Sequence, residues 1–159
     1  MPGAATPAIA AAREAGISHR VLEYDHAGGA EAYGPEAARA LGVDPGRVFK
    51  TLVAAVDGAL VVAVLPVLAR LDLKTLARAA GGKKATMANR RDAERATGYV
   101  VGGISPLGQK RRLRTFVDES AAGFDTVLVS AGRRGLEIEL APGDLVALTG
   151  AALAPLTPA

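Results

Sequence analysis

Arg47-Val48-Phe49-Lys50-Thr51-Leu52-Val53-Ala54-Ala55-Val56-Asp57-Gly58-Ala59-Leu60-Val61-Val62-Ala63-Val64-Leu65 consists of two apolar runs rich in β-branched residues, separated by Asp-Gly. Asp-Gly between such runs predicts a two-residue hairpin turn, because the favoured turn needs positive φ and these two residues tolerate it best. Strands over 47–56 and 59–65 follow. Lys50 is the exception inside the first of them. Charged residues are seldom left unpaired in an interior, so its ammonium either escapes at an edge, with the stem lying along apolar surface, or points into a cleft.

Working outward from the hairpin, helices and strands alternate without internal repeats, low-complexity tracts or a linker. Thr6-Pro7 has the form of an N-cap followed by a first-turn proline, opening a helix that stops at Gly16. Ser18 to Tyr24 reads as a strand, and Gly34-Pro35 opens a second helix ending near Leu41-Gly42. Asp72 caps a helix that ends at Gly81, and Asn89 with Asp92 forms a capping pair for a short helix closed by Gly98. Thr115 to Asp118, Thr126 to Ser130 and Leu136 to Leu140 supply further strands, and Pro142 to Leu148 a last helix. In Leu136-Glu137-Ile138-Glu139-Leu140 the apolar residues alternate with the acids, which places the two sets on opposite faces. Hairpins together with crossovers imply a mixed sheet surrounded by helices, an α+β arrangement.

Composition narrows the chemistry. A chain of 159 residues fits one domain, expected over 1–159 with its core at about 6–148, and can bury roughly 70% of its unfolded surface. Half the residues are apolar, yet there are only three Phe, three Tyr and no Trp. The core must therefore be aliphatic, and broad base-stacking platforms are not expected. The absence of cysteine excludes disulfides, thiolate zinc sites and a protein thiol nucleophile. His19 and His26 lie seven residues apart without an acid cluster, so no metal is expected. No signal pattern opens the sequence, and the longest apolar stretch, Ala59 to Ala69, contains Pro66 and falls far short of the about 20 residues of a membrane span. A cytoplasmic protein without a membrane partner is the expectation. Net charge is +3, but nine Lys or Arg against two acids lie between Lys83 and Arg114. Such a cluster is the electrostatic footprint of a phosphate-bearing partner.

Within that basic region stands Gly102-Gly103-Ile104-Ser105-Pro106-Leu107-Gly108-Gln109-Lys110-Arg111-Arg112, whose glycines let a ligand approach the backbone and whose cations follow directly. Together with Val48-Phe49-Lys50-Thr51-Leu52 upstream and Val129 to Leu140 downstream, this order and spacing resembles the YbaK-type aminoacyl-tRNA deacylases. These are relatives of the editing domain inserted in bacterial prolyl-tRNA synthetases, and the closest likeness is to the Cys-tRNA(Pro) deacylase branch. The resemblance runs from about Thr6 to Leu148. It implies a curved, nearly closed mixed sheet wrapped by helices, and removal of mischarged cysteine from tRNA(Pro) by attack of the substrate's own thiol, releasing a thiolactone.

The resemblance also assigns residues. It implies that Lys50 holds the terminal adenosine or its phosphate and sets the ester in place, with Thr51 beside it in the pocket. Gly102 and Gly103 would offer backbone N–H groups to the charge developing on the ester carbonyl, with Ile104 and Ser105 completing that wall. Tyr24, Ser130 and Glu137 fall at the remaining pocket positions. Glu137 departs from the aspartate of that branch by one methylene. Lys110, Arg111 and Arg112 are expected to grip tRNA phosphates. No cofactor is implied; the partners would be mischarged tRNA(Pro) and prolyl-tRNA synthetase in a ternary complex.

Other readings compete. An alanine-specific hydrolase of the same superfamily would use a bound water, and a non-catalytic adaptor would use the fold only to bind tRNA or a synthetase. Ser18, Ser105, Ser120 and Ser130 are hydroxyls outside any Gly-x-Ser-x-Gly elbow. Gly81-Gly82-Lys83-Lys84 lacks the spacing of a phosphate-binding loop.

Overall fold

The computed structural model describes residues 5–25 and 33–158; His26 lies outside them. Among the described residues five helices, α1 (Pro7–Ala15), α2 (Tyr33–Leu41), α3 (Leu73–Ala79), α4 (Arg90–Thr97) and α5 (Pro142–Thr149), surround eight strands. The strands are β1 (His19–Glu23), β2 (Phe49–Val56), β3 (Ala59–Pro66), β4 (Ala85–Met87), β5 (Arg114–Asp118), β6 (Val127–Arg133), β7 (Leu136–Leu140) and β8 (Ala152–Ala154).

The local signals act as expected. Asp57 and Gly58 take φ of 49° and 86°, joining β2 to β3 in an unbroken antiparallel register from Phe49↔Pro66 to Val56↔Ala59. The Asp57 carboxylate also accepts the N–H groups of Lys83 at 2.9 Å and Lys84 at 3.0 Å, which hold its pKa below the ordinary carboxylate range. The Gly81–Lys84 loop is thereby a structural brace of the hairpin. Thr6 caps α1 through Ile9 N–H, Asp72 caps α3 through Lys74 and Thr75, and Asn89 caps α4 through Asp92.

The mixed α/β class holds, with one difference in how the sheet is built. The described strands form two sheets, an antiparallel β1-β7-β6 and a mixed β4-β2-β3-β5-β8, joined by a single bridge between Val48 and Leu128. The curved sheet is thus not closed. The reason lies in the register: β4 pairs with β2 only at Ala54–Val56, so the Phe49–Val53 half of β2 has no β4 partner. Two strands also go beyond the sequence reading, β4 and β8, each three residues long and too short to carry a period.

Both faces of the larger sheet are covered, which explains the continuous apolar run of β3. Val62 and Val64 face a core shared with Val127, Val129, Ile138, α1 and α4. Val61, Ala63 and Leu65 face Leu76 and Ala77 of α3. Ala37 and Ala38 of α2 pack on Val48, Val67 and Leu128 at the junction of the sheets. There, Arg134 and Glu36 make a two-pronged ion pair at 3.0 and 3.1 Å that ties α2 to the β6–β7 turn.

Candidate active site

A cavity of about 530 Å³ opens where the sheets part. That is the size of a small-ligand site. Its walls come from the half of β2 that β4 does not cover, the segment around the end of β4, the Val101–Ile104 loop, and β6 and β7. Seven of the residues expected from the sequence meet there: Lys50, Thr51, Gly102, Ile104, Tyr24, Ser130 and Glu137.

Lys50 resolves the choice posed by its strand in favour of the cleft. It is half-buried, and its Nζ donates to the Ala69 carbonyl at 2.6 Å. Burial lowers its pKa from the ordinary lysine value. An ammonium has three N–H donors, so one is anchored and the others remain for a ligand. Thr51 Oγ1, its neighbour in the wall, is buried and has no hydrogen-bond partner among the described residues.

Ser130 and Glu137 sit directly across from each other on β6 and β7. A bulge between Ser130 and Arg133 breaks the register there, with Gly132 at φ 115°, and re-aims the end of β6. Ser130 Oγ accepts the Gly132 N–H at 3.2 Å. Glu137 is only 7% exposed, and its Oε1 has no partner among the described residues. Burial in this apolar floor pushes its carboxyl up to about 8. Tyr24 is pushed up to about 12, first by burial and then by the nearby Glu137. The alternation of β7 places Glu137 and Glu139 on one face, as expected, but in different surroundings. Glu139 accepts from Thr126 and is paired with Arg47 and Arg20, which hold its pKa below the ordinary range, whereas Glu137 faces the cavity.

Two expected wall residues stand elsewhere. Gly103 lines a second recess behind the loop, and its N–H is committed to the Val100 carbonyl at 2.8 Å, so it is not available to an oxyanion. Ser105 is fully buried, with its Oγ accepting the Leu107 N–H at 3.2 Å. It stabilises the loop from within rather than lining the cavity. Gly102, with φ 99°, does reach the wall, and its N–H carries no hydrogen bond among the described residues. Lys110, Arg111 and Arg112 are exposed and line neither cavity.

The sequence reading did not single out Arg90, Met87 or Val101, which also line the cavity. Arg90 is 69% exposed, held by Glu94 at 3.1 Å. Its place at the first turn of a capped helix within the basic segment was the available signal. Met87 and Val101 are large apolar residues left open to solvent. The rim is therefore open and cationic, while the floor of Val48, Phe49 and Glu137 is closed. Among the described residues no group of three His, Asp or Glu could hold a metal ion, and no helix is long and apolar enough to cross a membrane.

Residues 30–148 match the aminoacyl-tRNA editing domain. An Enterococcus faecalis protein named "Putative Cys-tRNA(Pro)/Cys-tRNA(Cys) deacylase EbsC" is 46% identical over 121 residues, covering 76% of this chain and 74% of its own. The crystal structure of "a putative trans-editing enzyme for prolyl tRNA synthetase" is similar with a TM-score of 0.87 at 28% identity, covering 100% of this chain and 99% of that one. A crystal structure of a hypothetical protein gives 0.84 at 27%, covering 96% and 100%. With three quarters of its length matched and its fold shared throughout, the chain belongs to the aminoacyl-tRNA editing domain family.

Proposed function

We propose that this chain is a trans-editing aminoacyl-tRNA deacylase that clears cysteine mistakenly attached to tRNA(Pro). The need for such an enzyme is physical. Cysteine and proline are close in size, and small apolar differences give a synthetase pocket only about 10 to 200-fold discrimination. The names of the 46% identical relative and of the trans-editing structure support cysteine as the amino acid and tRNA(Pro) as its carrier.

The observation that carries the reading is the cavity that joins Lys50, the Gly102 backbone and Glu137 with no activated nucleophile among its described residues. Among the described residues its hydroxyls are those of Tyr24, Thr51 and Ser130, and no described histidine lines it. His19, at the start of β1, is bound through Nδ1 to the Ile17 carbonyl. A polymer cannot enter a closed floor, so the tRNA lies at the Arg90 rim and the aminoacyl end points inward. Lys50 then holds the ester or its neighbouring phosphate, and the free Gly102 N–H faces the carbonyl oxygen as charge develops. Substrate cysteine supplies the nucleophile. A thiol near pKa 8.5 is a few per cent thiolate at neutral pH, whereas a serine hydroxyl is essentially never ionised. Intramolecular attack in a rigid cleft contributes roughly 7 to 11 kcal/mol. The Lys110–Arg112 cations, outside the cavity, position the acceptor end without reading the amino acid.

The test compares Cys-, S-methyl-Cys-, Ala- and Ser-tRNA(Pro) under single turnover. Rapid loss of cysteine alone, with thiolactone preceding free cysteine, is the expected result. Rapid cleavage of the S-methylated or alanyl substrate would replace this mechanism by attack of water, and tRNA binding with no cleavage of any substrate would indicate an adaptor.

A further inference from the structure

We propose that Glu137 is the proton carrier of this reaction, taking the proton from the substrate's thiol as sulfur attacks and returning it to the departing ribose oxygen. The proposal rests on the cysteine-deacylase reading and gives it a general base, which that reading lacks.

Placement comes first. The carboxyl lies on the closed floor, where the aminoacyl side chain must go if the tRNA is to stay outside, and Oε1 is buried without a partner. A buried polar atom left unsatisfied is costly, and one lining a cavity is most simply explained by a ligand that completes it.

The charged and titratable neighbours decide what kind of ligand. From β2, Lys50 reaches the Ala69 carbonyl, and from the β6–β7 turn, Arg134 is paired with Glu36. Arg133, the last residue of β6, approaches Glu23 at 3.7 Å. From the end of β1, Tyr24 stays a phenol to about pH 12, so it does not compete for the proton. Among the described residues no hydrogen-bond donor reaches Glu137 Oε1, and burial alone governs how it titrates. A receptor for the substrate's ammonium would be held permanently as a carboxylate, whereas a carboxyl poised near 8 is divided between acid and carboxylate at working pH and can both take and return a proton. Its pKa, about 8, approaches that of a thiol, about 8.5, where proton transfer is nearly balanced and a general base is most effective. An ordinary glutamate, near 4.3, would be far too weak a base for a thiol.

The step balances without a further reactant. The S–H bond breaks and the proton goes to Glu137; the S–C bond forms at the ester carbonyl. The C–O bond to ribose then breaks and the ribose oxygen takes the proton back. The products are a thiolactone and tRNA with a free terminal hydroxyl, and Glu137 ends as it began.

The experiment uses the full chain, saturating over Cys-tRNA(Pro) and selenocysteinyl-tRNA(Pro), with single-turnover rates followed from pH 6 to 9. Wild-type cleavage of the cysteinyl substrate should rise with pH and level off near 8. Glu137→Gln, which resembles the neutral acid in shape, should lose about 100-fold or more in rate at saturation. Its penalty should shrink sharply on the selenol, which is already ionised at neutral pH and needs no base. Glu137→Asp, should the glutamine variant not fold, should be slower than wild type but keep the pH-dependent limb. An equal penalty on both substrates, or an unchanged rate with weaker binding only, overturns the proton-carrier role and leaves the deacylase reading standing. Wild-type protein that leaves Cys-tRNA(Pro) intact overturns both.

Discussion

Gly103→Ala offers a test of how the loop wall is held. Gly103 does not have a positive φ, so its backbone would accept alanine. Space would not. A Cβ there would lie 2.6 Å from Arg133 Cα and 3.0 Å from both Arg133 C and Arg134 N, all of them main-chain atoms. Reaching ordinary contact at 3.4 Å requires the two segments to part by about 0.8 Å. Neither yields easily, because the loop is pinned by the Gly103 N–H to Val100 bond and the turn by the Arg134–Glu36 pair. Overpacking of this kind costs about 1 to 3 kcal/mol. For a domain of this size that lowers Tm by roughly 2 to 4 °C per kcal/mol, so a fall of about 4 to 8 °C is expected for a mid-range cost. The same displacement moves Gly102 within the cavity wall, and a misplacement near 1 Å costs about 100-fold in rate. Thermal melting by circular dichroism reads the first effect, and single-turnover deacylation at a temperature where both proteins are folded reads the second. A melting point within about 1 °C of wild type would show that the close approach is not a constraint. A lowered melting point with an unchanged rate would show that the loop's position is irrelevant to chemistry.

Lys50→Ala should abolish deacylation with a near-normal melting curve, and Lys50→Arg should fail too, since a planar fork does not replace a compact ammonium in a fitted cleft; normal turnover by either sinks the assigned role. Removing the charges of Lys110, Arg111 and Arg112 should weaken tRNA binding and flatten its salt dependence while sparing a minimal aminoacylated adenosine, and equal losses on both substrates would place them in the site. Glu137 should also leave a mark on stability. Below about pH 4.5 its carboxyl is protonated in both states. Between there and about 8 the unfolded chain releases a proton that the folded chain keeps, so stability falls as pH rises, by on the order of 4 to 5 kcal/mol in all. The difference in unfolding free energy between wild type and Glu137→Gln, measured from pH 4 to 9, should carry that slope, and a flat difference would refute the buried acid. Thr6→Ala should cost about 1 to 2 kcal/mol by denaturant unfolding, because Thr6 Oγ1 both caps α1 through Ile9 and donates to Ala131 beside the β6 bulge at 2.6 Å.

What the sequence determined by itself is local. Asp57-Gly58 carried the hairpin, Thr6-Pro7, Asp72 and Asn89 carried helix starts, and Gly16, Gly42 and Gly98 carried helix ends, all at φ between 67° and 82°. Each depends on the conformational preference of one or two residues, which no distant contact needs to supply. Lys50 was visible for a related reason, as a charge breaking an apolar period, although which side of the strand it served was not. The tertiary structure decided the rest. Glycines 102 and 103 are adjacent and chemically identical, yet one forms the cavity wall and the other backs onto Arg133, a distinction made only by where the β6–β7 turn comes to rest. Glu137 and Glu139 read alike on one strand face, but Arg20 and Arg47 converge on the second from β1 and the turn before β2, leaving the first alone over an apolar floor. The opening between the sheets follows from β4 being too short to cover β2 along its whole length, and the Gly81–Lys84 loop leading into β4 is braced on Asp57 at the far end of the hairpin. Pairing between distant segments is set by long-range packing free energy, which one-dimensional periodicity does not contain.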